Sequence, residues 1–286
     1  MSERADRPAL RASVLRGLLL APVGPLDRLE VVERVGSTNT DLAGALARDP
    51  AAWPGVGLLV ADHQDGGHGR AGREWTTPPR AALTLSISMW PTQPLAALSW
   101  LPLLAGLGAV HALRATTGVQ ATLKWPNDLL VPAPDHAHLE GWGTARKVGG
   151  ILSELVSTPA GPAVVLGIGV NVSQTRDELP VPSAISLAVA GARDVDREVL
   201  LVALVTALAD LQERWRVAGE VAAAGLADEV GAVCATSGQH VHVALPGGGE
   251  LGGRALRLGP DGSLVVADAS GAEHVVLAGD VLHVRA

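Results

Sequence analysis

The chain has 286 residues, 48% of them apolar and 18% charged, with a formal net charge of −7. The apolar share suffices for a packed core, and the acidic balance argues against a general nucleic-acid binder, which would carry a basic footprint. The single cysteine, Cys234, excludes a disulfide framework and a cysteine-based zinc site and reads as a small buried or half-buried thiol.

Residues 1–25 form a short arm with a helical turn or two over 9–20. Arg16 interrupts its apolar stretch, so a secretory signal is not expected. The arm is also too short for a helix-turn-helix domain. No run of 18 apolar residues predicts a membrane span, and a cytoplasmic protein is expected. Ser37 is a good N-cap for a helix running to just before Pro50. Residues 57–62 form a short buried strand, and the glycine-rich 63–75 stretch lacks apolar periodicity and is a loop. Leu83, Leu85, Ile87 and Met89 alternate with Thr84, Ser86 and Ser88, the pattern of a half-buried strand. A helix over 97–117 ends at Gly118, a strand follows at 119–125, and 132–146 reads as a long mobile insertion. The segments flanking the 158–162 turn form an antiparallel hairpin. An amphipathic helix covers 199–216. From about Ser237 short strands alternate with glycine turns, a small all-β barrel. The expected organisation is thus the arm, a catalytic unit over 26–236 and a small β domain over 237–286. Mixed strand and helix order with an antiparallel hairpin indicates an α+β fold rather than a doubly wound parallel sheet.

Only 2 of the 22 Lys and Arg residues are lysine, Lys124 and Lys147, and only three residues are asparagine, Asn39, Asn127 and Asn171. A composition that depletes these types acts as a filter. Arginine replaces a surface cation but not a compact ammonium acting as a point donor, and the paired donor and acceptor of asparagine are equally hard to replace. All five survivors lie in short runs that read as sites: GSTNTD (36–41), KWPNDLL (124–130), KVGGILSEL (147–155) and GIGVNV (167–172). A fifth run, GGHGRAGREW (66–75), lacks P-loop spacing but carries Arg70 and Arg73, which suit a carboxylate or phosphate, on glycines that admit a ligand close to the backbone. Each has a plain structural alternative: a helix cap, an Asx turn with Lys124 solvated, a strand with a glycine bulge, a partner strand whose Gly167 and Gly169 serve only tight packing, and a solvated loop. His136, His138, His240 and His242 form no helical metal pair and are expected to face solvent.

In this order the runs resemble the biotin protein ligases: STN, a GRGRxxR-like loop closing on Trp75, KWPNDL, KxxGIL and GIGxNV. The resemblance covers about 30–175, and the C-terminal β unit agrees in position and size. It implies a mixed-sheet catalytic domain like that of class II aminoacyl-tRNA synthetases, followed by an SH3-like domain. It also implies ATP, biotin and Mg²⁺ as reactants and cofactor. Biotin is first activated as biotinyl-5′-AMP and then passed to a lysine of a biotin carboxyl carrier domain. By motif match, Ser37, Thr38, Asn39, Gln64 and the Gly67, His68, Gly69 and Arg70 stretch hold biotin. Lys147 contacts both its carboxylate and the α-phosphate. Arg70, Arg73, Trp75, Asn127, Asp128 and Asn171 serve ATP and the adenylate, Asp128 also takes Mg²⁺, and Lys147, Arg70 and Asp128 carry the catalysis. The family loop usually has arginine at the position of His68. The arm marks the enzyme-only type without a DNA-reading domain, acting as a monomer or weak homodimer with no nucleic-acid or membrane partner. A lipoate ligase on the same fold is a second reading, against which the KWPND and KxxGIL pair speaks. A non-catalytic biotin or nucleotide sensor is a third.

Overall fold

The computed structural model describes residues 7–245, 248–277 and 279–284. Seven strands form one sheet: β1 (Arg28–Val32), β2 (Gly57–Ala61), β3 (Ala82–Met89), β4 (Thr122–Lys124), β5 (Asp128–Pro132), β6 (Ala145–Thr158) and β7 (Gly161–Asn171). Their order is β1-β2-β3-β7-β6-β5-β4, and only the β1–β2 pair is parallel. The mixed α+β class expected from the sequence is therefore present. The β6–β7 hairpin turns at Pro159 and Ala160, with Thr158 opposite Gly161.

Among the described residues five α-helices accompany the sheet: α1 (Ala12–Leu19), α2 (Thr38–Arg48), α3 (Leu101–Thr117), α4 (Arg197–Ala218) and α5 (Leu226–Val233). The glycine-poor, Leu- and Val-rich face of the sheet packs against α3 and α4. Leu83, Leu85 and Ile87 of β3 and Leu166, Ile168 and Val170 of β7 join Leu103, Leu107, Leu201 and Leu204 there. The opposite face carries α2 on a smaller cluster of Leu42, Leu46, Trp53, Leu59, Ala163 and Val165. By length and composition Leu95–Thr117 suffices to cross a bilayer, but most of it is buried inside this core. Gly118 ends α3 in the left-handed conformation, φ 71°, as the sequence led one to expect.

Four sequence expectations change. The β3 strand is buried on both faces rather than half-buried, because its Thr84, Ser86 and Ser88 lie under α2 and the loops beside it instead of in solvent. The insertion at 132–146 is a braced hook. Ala133 and Thr144 close its neck, Leu139 and Gly143 pair within it, and the buried Arg146 donates to the carbonyls of Ala137, Gly143 and Ala145. The arm is integral to the core: Leu10, Leu15 and Leu19 are buried. Arg7 pairs with Glu178, and Arg11 with Glu198. Behind them the buried Arg197 joins Asp62 at 2.7 Å and the Pro8 carbonyl. Finally, α5 was not expected, its apolar periodicity being too short to stand out among the alanines and glycines around it.

The small β unit is a five-stranded antiparallel sheet, β8 (His240–Ala244), β9 (Glu250–Leu258), β10 (Leu264–Ala267), β11 (Glu273–Val276) and β12 (Asp280–Val284), ordered β11-β10-β9-β8-β12. Its core is continuous with the main one. Trp100 Nε1 donates to Pro260 O at 2.9 Å and Trp125 Nε1 to Gly262 O at 3.0 Å. Gly262, at φ 77°, sits against Trp100 and Leu103 where a side chain would be strained and crowded. The two tryptophans thus dock this sheet directly behind the KWPND turn. As expected, His136, His138, His240 and His242 are exposed and Cys234 is buried.

Candidate active site

The α2 side of the sheet holds a cavity of about 470 Å³. Glycines and one bulge make it. In β5, Leu129 pairs with Gly149 but Leu130 pairs with Lys147, so Val148 is skipped. Residues three apart on a regular strand face opposite sides; the bulge turns Lys147 and Gly150 to the same side. Side chains then lie flat on bare backbone. A Cβ on Gly167 would come 2.2 Å from Asn39 Oδ1, on Gly169 2.7 Å from Trp75 Cε2, and on Gly150 3.2 Å from Lys147 Nζ. These glycines are seats for Asn39, Trp75 and Lys147.

One end of the cavity is a closed network of neutral groups and one carboxylate. The Ser37 hydroxyl caps α2 by accepting from Thr40 N. Gln64 Oε1 accepts from Thr38 N at 2.7 Å and Thr38 Oγ1 at 2.9 Å. Ser86 Oγ stands 2.5 Å from Asn39 Oδ1 and 2.8 Å from Thr38 Oγ1, and its one hydrogen serves either acceptor, while Asn39 Nδ2 donates to Glu154 Oε2 at 2.6 Å. The network preorganises the first turn of α2 as a set of oriented donors and acceptors.

The other end is charged. Lys147 Nζ stands 2.6 Å from Asp128 Oδ1, with side chains 29% and 18% exposed. The Gly-rich loop folds into a tight hairpin: Trp75 N donates to Gly67 O, Gly69 N to Arg73 O, and Ala71 and Gly72 turn at φ 55° and 71°. From its tip Arg70 reaches over the cavity to Asn127 Oδ1 at 3.2 Å, while Asn127 Nδ2 donates to Ile151 O at 2.7 Å. The Trp125–Pro126 peptide before it is cis.

The cavity brings together every expected site residue except Gly67. Gly67 lies beneath, where a Cβ would come 2.6 Å from Trp75 O and 2.7 Å from Gln64 Nε2. Asn171 lines the cavity, but both ends of its amide are engaged, Nδ2 with Ile185 O and Oδ1 with Gln174 Nε2. It braces the 183–187 segment, whose Ser183 and Ile185 bond the Lys147 backbone. Arg73 bonds Arg70 O across the 71–72 turn and is exposed. Trp75 Nε1 is buried and has no hydrogen-bond partner among the described residues. Lys124 is 5% exposed, not solvated, and its Nζ sits 4.2 Å from the Trp142 ring centroid.

Sequence reasoning missed Ser86, Glu154, Trp142, Leu282 and the 180–184 segment, all at or next to the cavity. A signal existed for Ser86: a serine repeating every second position on a strand whose other face is core. Trp142 and Leu282 come from segments that touch the site only in three dimensions.

Residues 31–171 match the Biotin/lipoate A/B protein ligase family and 236–284 the Biotin protein ligase C terminal domain. The Biotin--[acetyl-CoA-carboxylase] ligase of Mycobacterium tuberculosis is 37% identical over 98% of this chain and 97% of its own length. The chain belongs to the biotin protein ligase family. A biotin protein ligase from Aquifex aeolicus, solved in complex with biotin and ATP, is 25% identical and superposes with a TM-score of 0.71, covering 91% of this chain and 100% of its own. The Bifunctional ligase/repressor BirA of Bacillus spizizenii is 32% identical over 58% of this chain but only 48% of its own length. As a biotin protein ligase the chain carries the family's C-terminal unit as well as its catalytic unit, both matched separately.

Proposed function

We propose that the chain activates biotin with ATP and transfers it to a lysine of a biotin carboxyl carrier domain, that of acetyl-CoA carboxylase or a related biotin-dependent carboxylase. The observation that carries this is one continuous cavity with a neutral, fully bonded end at Thr38, Asn39, Gln64 and Ser86 and a charged end at Lys147, Asp128, Arg70 and Asn127. A fused-ring urea fits the first end and a carboxylate meeting phosphates fits the second.

In the first step a biotin carboxylate oxygen bonds to the α-phosphorus of ATP, the bond to the β-phosphate oxygen breaks, and pyrophosphate leaves. Negative charge gathers on the α-phosphate oxygens as this happens. Lys147, seated on Gly150 and held by Asp128, places its ammonium at that centre, and preorganised cations stabilise such charge most where water is excluded. Arg70 roofs the same region and helps retain the product adenylate. In the second step the carrier amine attacks the acyl carbon and AMP leaves, with Asp128 orienting the amine. Trp75 offers its ring to the adenine, Arg73 adds charge beside the loop tip, and Asn171 acts through the segment it braces. His68 acts through its backbone, since Arg70 and Lys147 already supply two cations. The donor set suits a magnesium ion that arrives with the nucleotide: among the described residues no group of three or more His, Cys, Asp or Glu forms a cage, and Mg²⁺ is commonly held by one or two carboxylates plus phosphates and water. Asp128 would supply that carboxylate, and the ion would neutralise phosphate charge. We place the enzyme in the cytoplasm, as a monomer or weak homodimer without a nucleic-acid partner.

The test is pyrophosphate exchange into ATP with purified protein and Mg²⁺. It should depend on biotin and need no carrier. Adding a carrier domain should then give one biotin-sized mass increment on it. Absence of both with folded protein overturns the ligase reading in favour of the sensor.

A further inference from the structure

The hook between β5 and β6 puts a tryptophan at the charged end of the cavity. Its construction is specific. Arg146, 6% exposed, clamps three hook carbonyls, and Gly141 and Gly143 adopt φ 73° and 60°, which releases Trp142 toward the site. From the small sheet, His283 N donates to Gly141 O at 3.2 Å and Leu282 packs beside Gly141. Trp142 and Leu282 both line the cavity that holds Lys147 and Asp128.

Under the ring lies Lys124. It pairs in register with Asp128 across β4 and β5, and Asp128 in turn meets Lys147. Three strands thus carry a row of alternating charge, ammonium, carboxylate, ammonium, on one face. The Lys124 ammonium lies 4.2 Å from the Trp142 centroid, in contact with the ring, and the residue is 5% exposed. A cation buried in this way acts more strongly on a nearby anion than a solvated one.

We propose that Trp142 is a positioning residue for ATP: its ring holds Lys124 against the phosphates, and with Leu282 it walls the nucleotide end of the cleft. The hook and β12 together make that wall, so the small sheet contributes to nucleotide binding through Leu282. This rests on the ATP-dependent reading above, which the wild-type exchange assay tests by itself.

The experiment compares Trp142→Leu with Trp142→Phe in the full chain by biotin-dependent pyrophosphate exchange. Leucine keeps apolar bulk without a π face, whereas phenylalanine keeps a weaker one. The expected result is a KM for ATP raised about tenfold in Trp142→Leu, a much smaller rise in Trp142→Phe, and a KM for biotin within about twofold of wild type in both. Equal KM values for ATP in the two variants, or parallel rises for ATP and biotin, overturn the proposal. Hydrogen exchange on the wild-type protein decides it without any substitution. Biotin plus an ATP analogue with a methylene α,β bridge should slow exchange at 139–143 relative to biotin alone, and no change there overturns the proposal. Wild-type protein without biotin-dependent exchange would instead sink the ligase reading itself.

Discussion

At the α2 end of the cleft each polar side chain is bonded to another before any substrate arrives, whereas at the β5–β6 end the charged groups hold one another by single contacts. Ser86, Thr38, Asn39 and Gln64, all buried, form a chain of bonds that ends on the half-buried Glu154. Lys147, Asp128, Arg70 and Asn127 are more exposed, and their contacts join neighbouring strands in one case and a loop to a turn in the other. The difference follows from what each end has to do. A neutral ring is recognised by donors and acceptors fixed in direction, and unsatisfied buried groups would be costly. Transferring phosphate charge needs cations that can shift their partner from Asp128 or Asn127 to the substrate.

Removing a cation should break the charged end most severely. Lys147→Ala is expected to slow adenylate formation on the order of 10²–10³-fold, and Lys147→Arg to remain poor because a planar fork does not replace a point ammonium. Biotin-dependent pyrophosphate exchange measures both; near-normal exchange by the alanine variant would remove Lys147 from the chemistry.

The neutral end should fail in affinity rather than in rate. Asn39→Ala takes one hydrogen-bond partner each from Ser86 and Glu154, a loss of roughly 1–3 kcal/mol, or about 5- to 150-fold in biotin affinity. Gly167→Ala should weaken binding in the same direction without touching a polar group, because its Cβ would occupy the Asn39 Oδ1 position. Calorimetric titration with biotin checks both, and an unchanged affinity in Gly167→Ala would show that the seat is not needed.

Arg70→Gly sharpens the contrast at the roof. We expect weaker retention of the adenylate and a several-fold rise in labelling of a bystander protein, with adenylate formation less affected than in Lys147→Ala. Labelling equal to wild type at unchanged biotin affinity would refute that role.

The smallest effect lies outside the cleft, where the arm is pinned. Hydrogen bonds and charge from Arg11 hold the Glu198 carboxyl below its usual range, and Arg7 does the same to Glu178. A carboxylate lowered in the folded state contributes stability that is complete above its unfolded value and is lost as pH falls through the folded one. The arm should therefore loosen below about pH 4.5, the ordinary glutamate value. Arg11 is 66% exposed, so the contribution is small. Glu198→Gln should reduce the acid-induced fall in Tm by only ~1–2 °C, and a larger change would mean that the arm carries more of the fold.

The sequence alone determined the parts that are local. Ser37 as a cap, the β6–β7 hairpin, the stop at Gly118 and the five motif runs all follow from residue type and spacing within one element, because capping, turn chemistry and periodicity act over a few residues. The unusual survival of Lys147, Asn39 and Asn127 in a chain poor in lysine and asparagine pointed to the cleft for the same reason: each does something its common substitutes do not. Tertiary structure decided what depends on distant partners. Whether Ser86 faces water or Asn39 is set by α2 lying over β3. Lys147 faces the cavity because one bulge reverses its side. Trp142 covers Lys124 only because Arg146 and the small sheet hold the hook in place. Packing and register fix these contacts between residues far apart in the chain, and no spacing within a single segment encodes them.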